Sequence, residues 1–280
     1  MNRHILATAA IAALAFGTNA AQATASASAS LSDITITLYD LNPLDSILPS
    51  VTFSSTYGSY TSVYAYSSTP YSYTYDYNYS SSAFGASSST APGTEASAAA
   101  SVSGTPYSGT GSATTTATAG AGDYTYAYSY AFLGDGGYTT TFTLSADTLL
   151  VISATGSASA TSTSSLYSDY DYAGAYVVLS LSGTAGAITQ SSSGSYSAYT
   201  GTDYGYPLTS SSGGTLGATF VNLTGASATG SLYSYVESWA QSEESYVEPQ
   251  TSTVPEPANL ALMAAGLGAI ALVNRRRRQG

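Results

Sequence analysis

The chain has no cysteine, no lysine and a single histidine, and its five arginines lie only near its two ends. The basic residues are Arg3, His4 and the run 275–278. Between Thr24 and Val254, fifteen Asp and Glu residues are accompanied by no basic side chain. Because neither disulfides nor salt bridges can form within that region, packing and neutral hydrogen bonds must stabilise it.

These absences exclude several classes of function. Nucleic-acid binding requires cations that neutralise phosphates. A Ser-His-Asp or Cys-His catalytic site requires an imidazole or a thiol. Zinc and copper sites prefer His and Cys ligands. We therefore expect no nucleic-acid partner, no cofactor, no metal site and no enzymatic activity, since only carboxylates, hydroxyls and phenols remain.

Residues 1–23 have the three parts of a secretory signal peptide. Arg3 and His4 supply a positive start, residues 5–16 are apolar, and residues 21–23 form a small-x-small pattern, Ala-Gln-Ala. This order of parts is typical of a signal that is cleaved after the last small residue. The mature chain is therefore predicted to begin at the next residue.

The other end of the chain, residues 254–280, also has three parts in a fixed order. The first is a short motif formed by Val254, Pro255, Glu256 and Pro257. Its prolines restrict the backbone to extended geometry. The second, residues 260–273, is apolar on all sides and predicts a transmembrane helix, although a full span needs about 20 residues. The third is a basic stop, which consists of Arg275, Arg276, Arg277 and Arg278. Such a cluster stays on the cytoplasmic side of the membrane and so orients the apolar run before it.

This tripartite end resembles the PEP-CTERM sorting signal of Gram-negative bacteria in all three of its parts. The resemblance implies recognition by an exosortase-type membrane enzyme and transient anchoring in the inner membrane. It also implies removal of the tail and release to the cell surface or the exopolysaccharide matrix. It implies no particular activity, because members of this family share the tail and differ in what precedes it.

The region between the two signals is predicted to be β-rich. Residues 24–242 contain short alternating stretches and Gly-rich turns without a long amphipathic helix. This pattern predicts an antiparallel β-sandwich or a jelly-roll-like body, followed by the single C-terminal hydrophobic helix. A β-solenoid is the alternative, although no fixed repeat length supports it. Residues 243–253 are acidic and polar and predict a linker.

Alternation of apolar and polar residues predicts individual strands in this body. Residues 31–41 predict a half-buried strand with its isoleucines on one face. Small residues alternate at 96–102 and 112–119, which predicts strands that approach their neighbours closely. Residues 148–154 are apolar on both faces and predict a strand buried on both sides.

Turn signals predict how some strands are connected. Asp135-Gly136 predicts the centre of a hairpin turn. Residues 216–223 and 231–240 are predicted to form a final pair of strands. Trp239, in the second of these, is expected to cap the core.

Tyrosines that alternate with small polar residues form two ladders. The first consists of Tyr71, Tyr73, Tyr75, Tyr77 and Tyr79, and the second of Tyr124, Tyr126, Tyr128 and Tyr130. Residues two apart share a face on a strand. One interpretation is an aromatic surface that stacks on sugar rings. The other, which the pattern alone favours, is packing on the core or on cross-strand partners, worth roughly 0.2–1 kcal/mol per pair. The stacking and packing interpretations are compatible if one ladder faces inward and the other outward.

Two groups of Asp and Asn residues are further candidates for a metal site or a catalytic site. Asp40, Asn42 and Asp45 offer the donors that calcium accepts from a loop, although such residues are common in turns for backbone reasons. Asp169 and Asp171 are a conceivable acid and base pair for glycoside hydrolysis, but two solvated acids explain them better.

These observations predict an exported, non-catalytic, acidic protein of the cell surface or the exopolysaccharide matrix. The alternative is a polysaccharide-binding protein that uses its tyrosine ladders. The two hypotheses differ in whether residues 24–254 are retained on the polysaccharide of the host, and in whether Tyr73→Ala or Tyr126→Ala affects that retention or stability alone.

Overall fold

The computed structural model describes residues 24–54, 58–68, 71–80, 85–93, 95–103, 111–120, 124–133, 140–163, 171–201 and 207–243. Both export signals, the residues of the linker after 243 and the apolar C-terminal run lie outside these ranges. Within them, no helix is long and apolar enough to cross a membrane. The described elements are antiparallel β-strands, which confirms the all-β prediction.

The strands lie in chain order as follows. They are β1 (Ala25–Asp40), β2 (Val51–Ser54), β3 (Tyr60–Ser68), β4 (Tyr71–Tyr79), β5 (Ser87–Ala91), β6 (Ala96–Ser103), β7 (Gly111–Ala119), β8 (Thr125–Phe132), β9 (Thr140–Leu144), β10 (Thr148–Ser162), β11 (Tyr172–Ala185), β12 (Ile188–Gly201), β13 (Thr209–Asn222) and β14 (Ala228–Ser242). The predicted small-residue strands correspond to β6 and β7.

The strands form two sheets. Sheet A has the order β13-β10-β1-β7-β6-β5, and sheet B has the order β12-β11-β14-β8-β3-β4. Two short strands extend sheet B, because β9 pairs with β14 beyond the end of β8, and β2 pairs with β9. The sheets lie face to face with matching order, so that β12 contacts β13, β11 contacts β10, and β4 contacts β5.

The core between the sheets contains large side chains at one end and alanines at the other. Phe142 and Phe220 are fully buried, with ring centroids 5.1 Å apart. At the other end the paired residues Ala25, Ala119 and Ala96 are all buried. Because interiors pack without voids, the small side chains require the two sheets to approach more closely there.

A pair of glycines makes room for the two phenylalanines. Gly183 of β11 lies directly opposite Gly230 of β14. A Cβ atom at Gly230 would overlap the ring of Phe142, and one at Gly183 would lie 2.9 Å from Phe220 Cε2. Glycine is therefore required at both positions by packing.

A β-bulge in β1 explains a change in its burial pattern. Odd-numbered residues from Ala25 to Leu31 are buried, whereas Ile34, two residues after Ser32, begins an even-numbered inner face. The pairing with β10 shifts register between Ser32 and Thr35, and Asp33 has φ 54°. Asp tolerates this left-handed conformation, so a single inserted residue keeps both halves of the strand facing the core.

The predicted final pair of strands is wrong. β13 pairs with β10 in sheet A, whereas β14 pairs with β11, β8 and β9 in sheet B. The connection therefore crosses between the sheets, and the buried Asn222 holds it. The Asn222 side-chain amide donates to the carbonyls of Ser145 and Ala226, each at 2.8 Å, and its oxygen accepts from the Thr224 hydroxyl at 2.7 Å.

The predicted hairpin around Asp135-Gly136 is also wrong, although these two residues lie outside the described ranges. β8 and β9 do not pair with each other but follow one another along the same edge of β14. Leu133 N donates to Ser234 O at 3.3 Å and keeps the chain on that edge. Since both strands are antiparallel to β14, they run in the same direction and cannot be the two arms of one hairpin.

The strand predicted at 148–154 is present within β10, but it is buried on one face only. Leu150 and Ile152 point into the core and are fully buried. Leu149 and Val151 point to the outer face of sheet A and are half-buried. The apolar residues on that outer side lie beside Tyr39 and Val221 on the neighbouring strands, which shield them in part.

Side chains close the gap between the sheets at one pair of edges. The Gln190 side chain of β12 donates to Val221 O at 2.6 Å and accepts from Val221 N at 3.0 Å. The Ser192 hydroxyl accepts from Thr219 N at 3.1 Å. These bonds satisfy backbone groups on the free edge of β13, which would otherwise be open to another strand.

The opposite pair of edges is closed in the same way. An Asp76 carboxylate oxygen of β4 accepts from Thr90 N at 3.0 Å. The Asn78 amide of β4 donates to Ser88 O at 3.3 Å. Both ends of sheet A are therefore covered by side chains of sheet B.

Candidate aromatic binding face

The outer face of sheet B is covered with aromatic side chains, and we call it the aromatic face. The alternation of the strands places the small residues of β8, such as Ala127 and Ala131, in the core and the tyrosines outside. The members of the face are Tyr60, Tyr64, Tyr66, Tyr71, Tyr73, Tyr75, Tyr77, Tyr79, Tyr124, Tyr126, Tyr128, Tyr130, Phe132, Tyr172, Tyr176, Tyr199, Tyr233, Tyr235 and Trp239.

The first tyrosine ladder is exposed along its whole length. It lies on β4, the edge strand of sheet B, and its side chains are 49–76% exposed. The highest exposure is that of Tyr71 and the lowest that of Tyr75. The opposite face of β4 carries Asp76, which bonds the edge of sheet A. The ladder therefore points away from the core.

The second ladder lies in the middle of the same face and is half-buried. The rings of Tyr126 and Tyr128 are stacked with centroids 6.5 Å apart and an interplanar angle of 10°. Tyr64 links the two ladders, because its ring lies 5.3 Å from that of Tyr73 and 5.7 Å from that of Tyr126. Both ladders thus belong to one surface. They pack on cross-strand partners and not on the core, and neither faces inward.

The phenols in the centre of the face are hydrogen-bond donors at neutral pH. Burial, followed by the nearby Tyr172 and Tyr124 side chains, raises the pKa of Tyr126 to about 12. Burial also raises the pKa of Tyr128 and of Tyr235. The nearby Glu237 raises the pKa of both residues further, because ionisation of a phenol beside a carboxylate is disfavoured.

Trp239 lies on the aromatic face, so the prediction that it caps the core is wrong. Its ring lies over Gly174 on the adjacent strand, where a Cβ atom would overlap it. The Tyr199 ring is 5.6 Å away. The glycine opposite Trp239 leaves room for the indole on the outer surface.

Two polar side chains of β14 lie within this face and were not recognised in the sequence. They are Glu237 and Gln241. The Oε1 atom of Gln241 accepts from Tyr172 Oη at 2.6 Å. The sequence contained a signal for both, because every second residue from Tyr233 to Gln241 is aromatic or polar and so lies on one face of the strand. Carboxylate and amide groups among aromatic rings provide directional hydrogen bonds beside apolar surfaces.

The outer face of sheet A has a different chemistry. It is lined by serines and threonines that pair across strands. The Ser26 and Thr161 hydroxyls are 2.6 Å apart, and those of Ser30 and Ser157 are 2.7 Å apart. The protein therefore presents a hydroxyl-rich surface on one side and the aromatic face on the other.

The proposed calcium ligands serve the backbone of a turn. Asp40 Oδ1 accepts from Asn42 N at 2.9 Å, and Asp45 Oδ1 accepts from Ile47 N at 2.7 Å. These are the bonds expected of Asp residues in turns. In the described part of the chain, no group of three or more His, Cys, Asp or Glu residues is placed to hold a metal ion.

The second carboxylate pair is not brought to an open site by the described residues. Asp171 is fully buried, and its Oδ1 accepts from the Ser242 hydroxyl at 2.7 Å. The expectation that Asp171 is solvated is therefore wrong. Asp169, like the sorting motif and the basic stop, lies outside the described ranges.

Fold and site define an antiparallel all-β protein of two facing sheets with one aromatic outer face. No protein-family model matches the chain, and no curated protein or solved structure matches it. Broad aromatic rings beside phenol, amide and carboxylate groups are suited to ligands that have apolar faces and many hydroxyls.

Proposed function

We propose that this protein is an exported, non-catalytic component of the cell surface or the exopolysaccharide matrix, and that its aromatic face binds polysaccharide. The observation that carries the binding proposal is the exposure of the first tyrosine ladder, in ring contact with the second ladder. A contiguous aromatic surface of this extent on a monomer is typical of an interaction site.

The physical match to a polysaccharide is specific. The C–H faces of sugar rings stack on aromatic rings, while their hydroxyls require hydrogen-bond partners. The phenols of the face both donate and accept, and the Gln241 amide adds a further donor and acceptor. An extended polymer also suits a ladder, because the tyrosines of β4 recur every two residues along a strand at about 6.8 Å.

Export and processing belong to the same proposal. They are supported by the signal peptide at 1–23 and by the tail at 254–280, which resembles a PEP-CTERM signal read by an exosortase-type enzyme. Removal of both would leave a body with no cationic side chain. The two facing sheets support a β-sandwich for this body, while the jelly-roll connections and the C-terminal helix remain predictions.

Mass spectrometry of the extracellular form tests the processing. We expect a chain that begins at Thr24 and ends close to the Val254–Pro257 motif, without the basic stop at 275–278. A released protein that still carries the four arginines would show that the tail is a permanent anchor.

Retention of this extracellular form on the polysaccharide of its host tests the binding. The double variant Tyr73→Ala and Tyr77→Ala removes two exposed rings and should weaken binding about tenfold, if each stacked ring contributes about 0.5–1.5 kcal/mol. The matched control is Thr116→Ala and Ser157→Ala on the outer face of sheet A. Unaltered retention of the tyrosine variant would exclude the aromatic face as the site and favour a purely structural role.

A further inference from the structure

Glu237 is the acidic residue at the centre of the aromatic face. Its direct neighbours across the sheet are Tyr130 of β8 and Tyr176 of β11. Along its own strand, Tyr235 and Trp239 lie two residues before and after it on the same side. The carboxylate is therefore surrounded by aromatic side chains in all four directions of the sheet surface.

The rings around Glu237 are in contact with one another. The ring centroid of Tyr235 lies 6.3 Å from that of Tyr130 and 6.4 Å from that of Tyr176. The Tyr128 and Tyr235 hydroxyls lie 3.4 Å apart, and the nearby Glu237 raises the pKa of both phenols. The carboxylate therefore lies among rings that pack on one another.

The half-buried Glu237 carboxylate has no cationic partner in the described part of the chain, where Lys, Arg and His do not occur. Charges withdrawn from water are normally paired. A carboxylate has about four acceptor positions, and the described residues offer no cationic donor for them. The groups that face it are the phenols of Tyr126, Tyr128, Tyr130, Tyr176, Tyr233 and Tyr235.

An aromatic enclosure around a carboxylate is a site for an organic cation. The negative faces of aromatic rings attract ammonium groups, most strongly where water is partly excluded. The carboxylate adds a charge-assisted hydrogen bond, and the negative charge of the whole body attracts cations. A neutral sugar would use the rings but not the charge.

We propose that the aromatic face recognises a polysaccharide with free amino groups, and that Glu237 and the aromatic side chains around it bind the ammonium group of an amino sugar. This inference rests on the proposed polysaccharide binding and assigns its ligand class. The tyrosines of β4 then stack on neighbouring sugar rings of the same polymer.

The test compares a soluble glucosamine polymer with its N-acetylated form, which has the same backbone and no charge. Calorimetry on the extracellular protein should show at least tenfold tighter binding of the amine form. Glu237→Gln keeps the size of the side chain and should abolish this preference while leaving the affinity for the acetylated polymer unchanged. Asp45→Asn removes one charge far along the chain from β14 and serves as the matched control. Tyr176→Leu removes one ring of the enclosure and should reduce the preference partially.

The outcomes separate the two levels of the proposal. Equal binding of both polymers by the unaltered protein would overturn the amino-sugar inference and leave polysaccharide binding intact. An equal loss in Glu237→Gln and Asp45→Asn would assign the preference to overall charge and overturn the site. Binding of neither of these polymers nor of the host polysaccharide would refute both. Persistence of the preference in Glu237→Gln, with Tyr176→Leu also unaffected, would place the amine elsewhere.

Discussion

The substitution Gln190→Ala should weaken the closure between the edge strands β12 and β13. The Gln190 amide imitates a peptide group, because it donates to Val221 O and accepts from Val221 N at 2.6 and 3.0 Å. Alanine removes both bonds without altering the backbone of β12. The backbone N–H and C=O of Val221, on the free edge of β13, can then form hydrogen bonds only with water.

The expected loss follows from these two bonds. Each is worth about 0.5–1.5 kcal/mol net, which totals about 1–3 kcal/mol. These net values come from mutational series and already include the rotamer entropy that an ordered Gln side chain loses. A loss of about 1–3 kcal/mol in the free energy of unfolding is therefore expected.

Urea unfolding of the purified protein, followed by tryptophan fluorescence, measures this loss. Ser191→Ala is the matched control, because Ser191 is the next residue of β12 and is exposed on the other face of the strand. Light scattering at the same concentrations should show more association for Gln190→Ala, since an open strand edge pairs with other chains. The reasoning fails if the two variants unfold with free energies within about 0.3 kcal/mol of each other.

Two further predictions concern the core and the aromatic face. Gly230→Ala should destabilise the protein by about 1–3 kcal/mol through overpacking against Phe142, whereas Gly217→Ala, which has open space around it, should leave the urea midpoint nearly unchanged. Alkali should also destabilise the fold: the pKa of Tyr126 is raised from 10.0 to about 12, so the stability it contributes is complete below pH 10 and is lost as pH rises through 12. Absorbance of tyrosinate should show a class of phenols that ionises late, and its absence in the folded protein would contradict the burial of the second ladder.

Period-two patterns in the sequence predicted the strands themselves well. The alternation at 31–41 and the small residues at 96–102 and 112–119 all correspond to strands. Such a pattern also shows which residues share a face, as in both tyrosine ladders. The pattern does not show which of the two faces is buried, because every strand of a two-sheet protein has one face toward the core and one toward the outside.

The errors came from properties that alternation does not encode. Which strands pair depends on contacts between distant segments, so β13 and β14 were assigned to each other although they belong to different sheets. The side of Trp239 depends on Gly174, which lies on another strand and leaves space outside the sheet. Alternation also left open whether the ladders pack on the core or on cross-strand partners. The other face of β8 supplies buried alanines and a serine to the core, so the tyrosines of β8 lie outside and pack on cross-strand partners.

The described residues include no Lys, Arg or His, so salt cannot weaken the fold by screening attractive ion pairs among them. Their carboxylates still repel one another, and this repulsion opposes the compact state. The edges of the sheets and the cross-strand hydroxyl pairs depend mainly on neutral hydrogen bonds, which salt screens little. Stability in urea should therefore increase with sodium chloride concentration up to physiological ionic strength, and a decrease over that range would show that attractive charge pairs contribute to the fold.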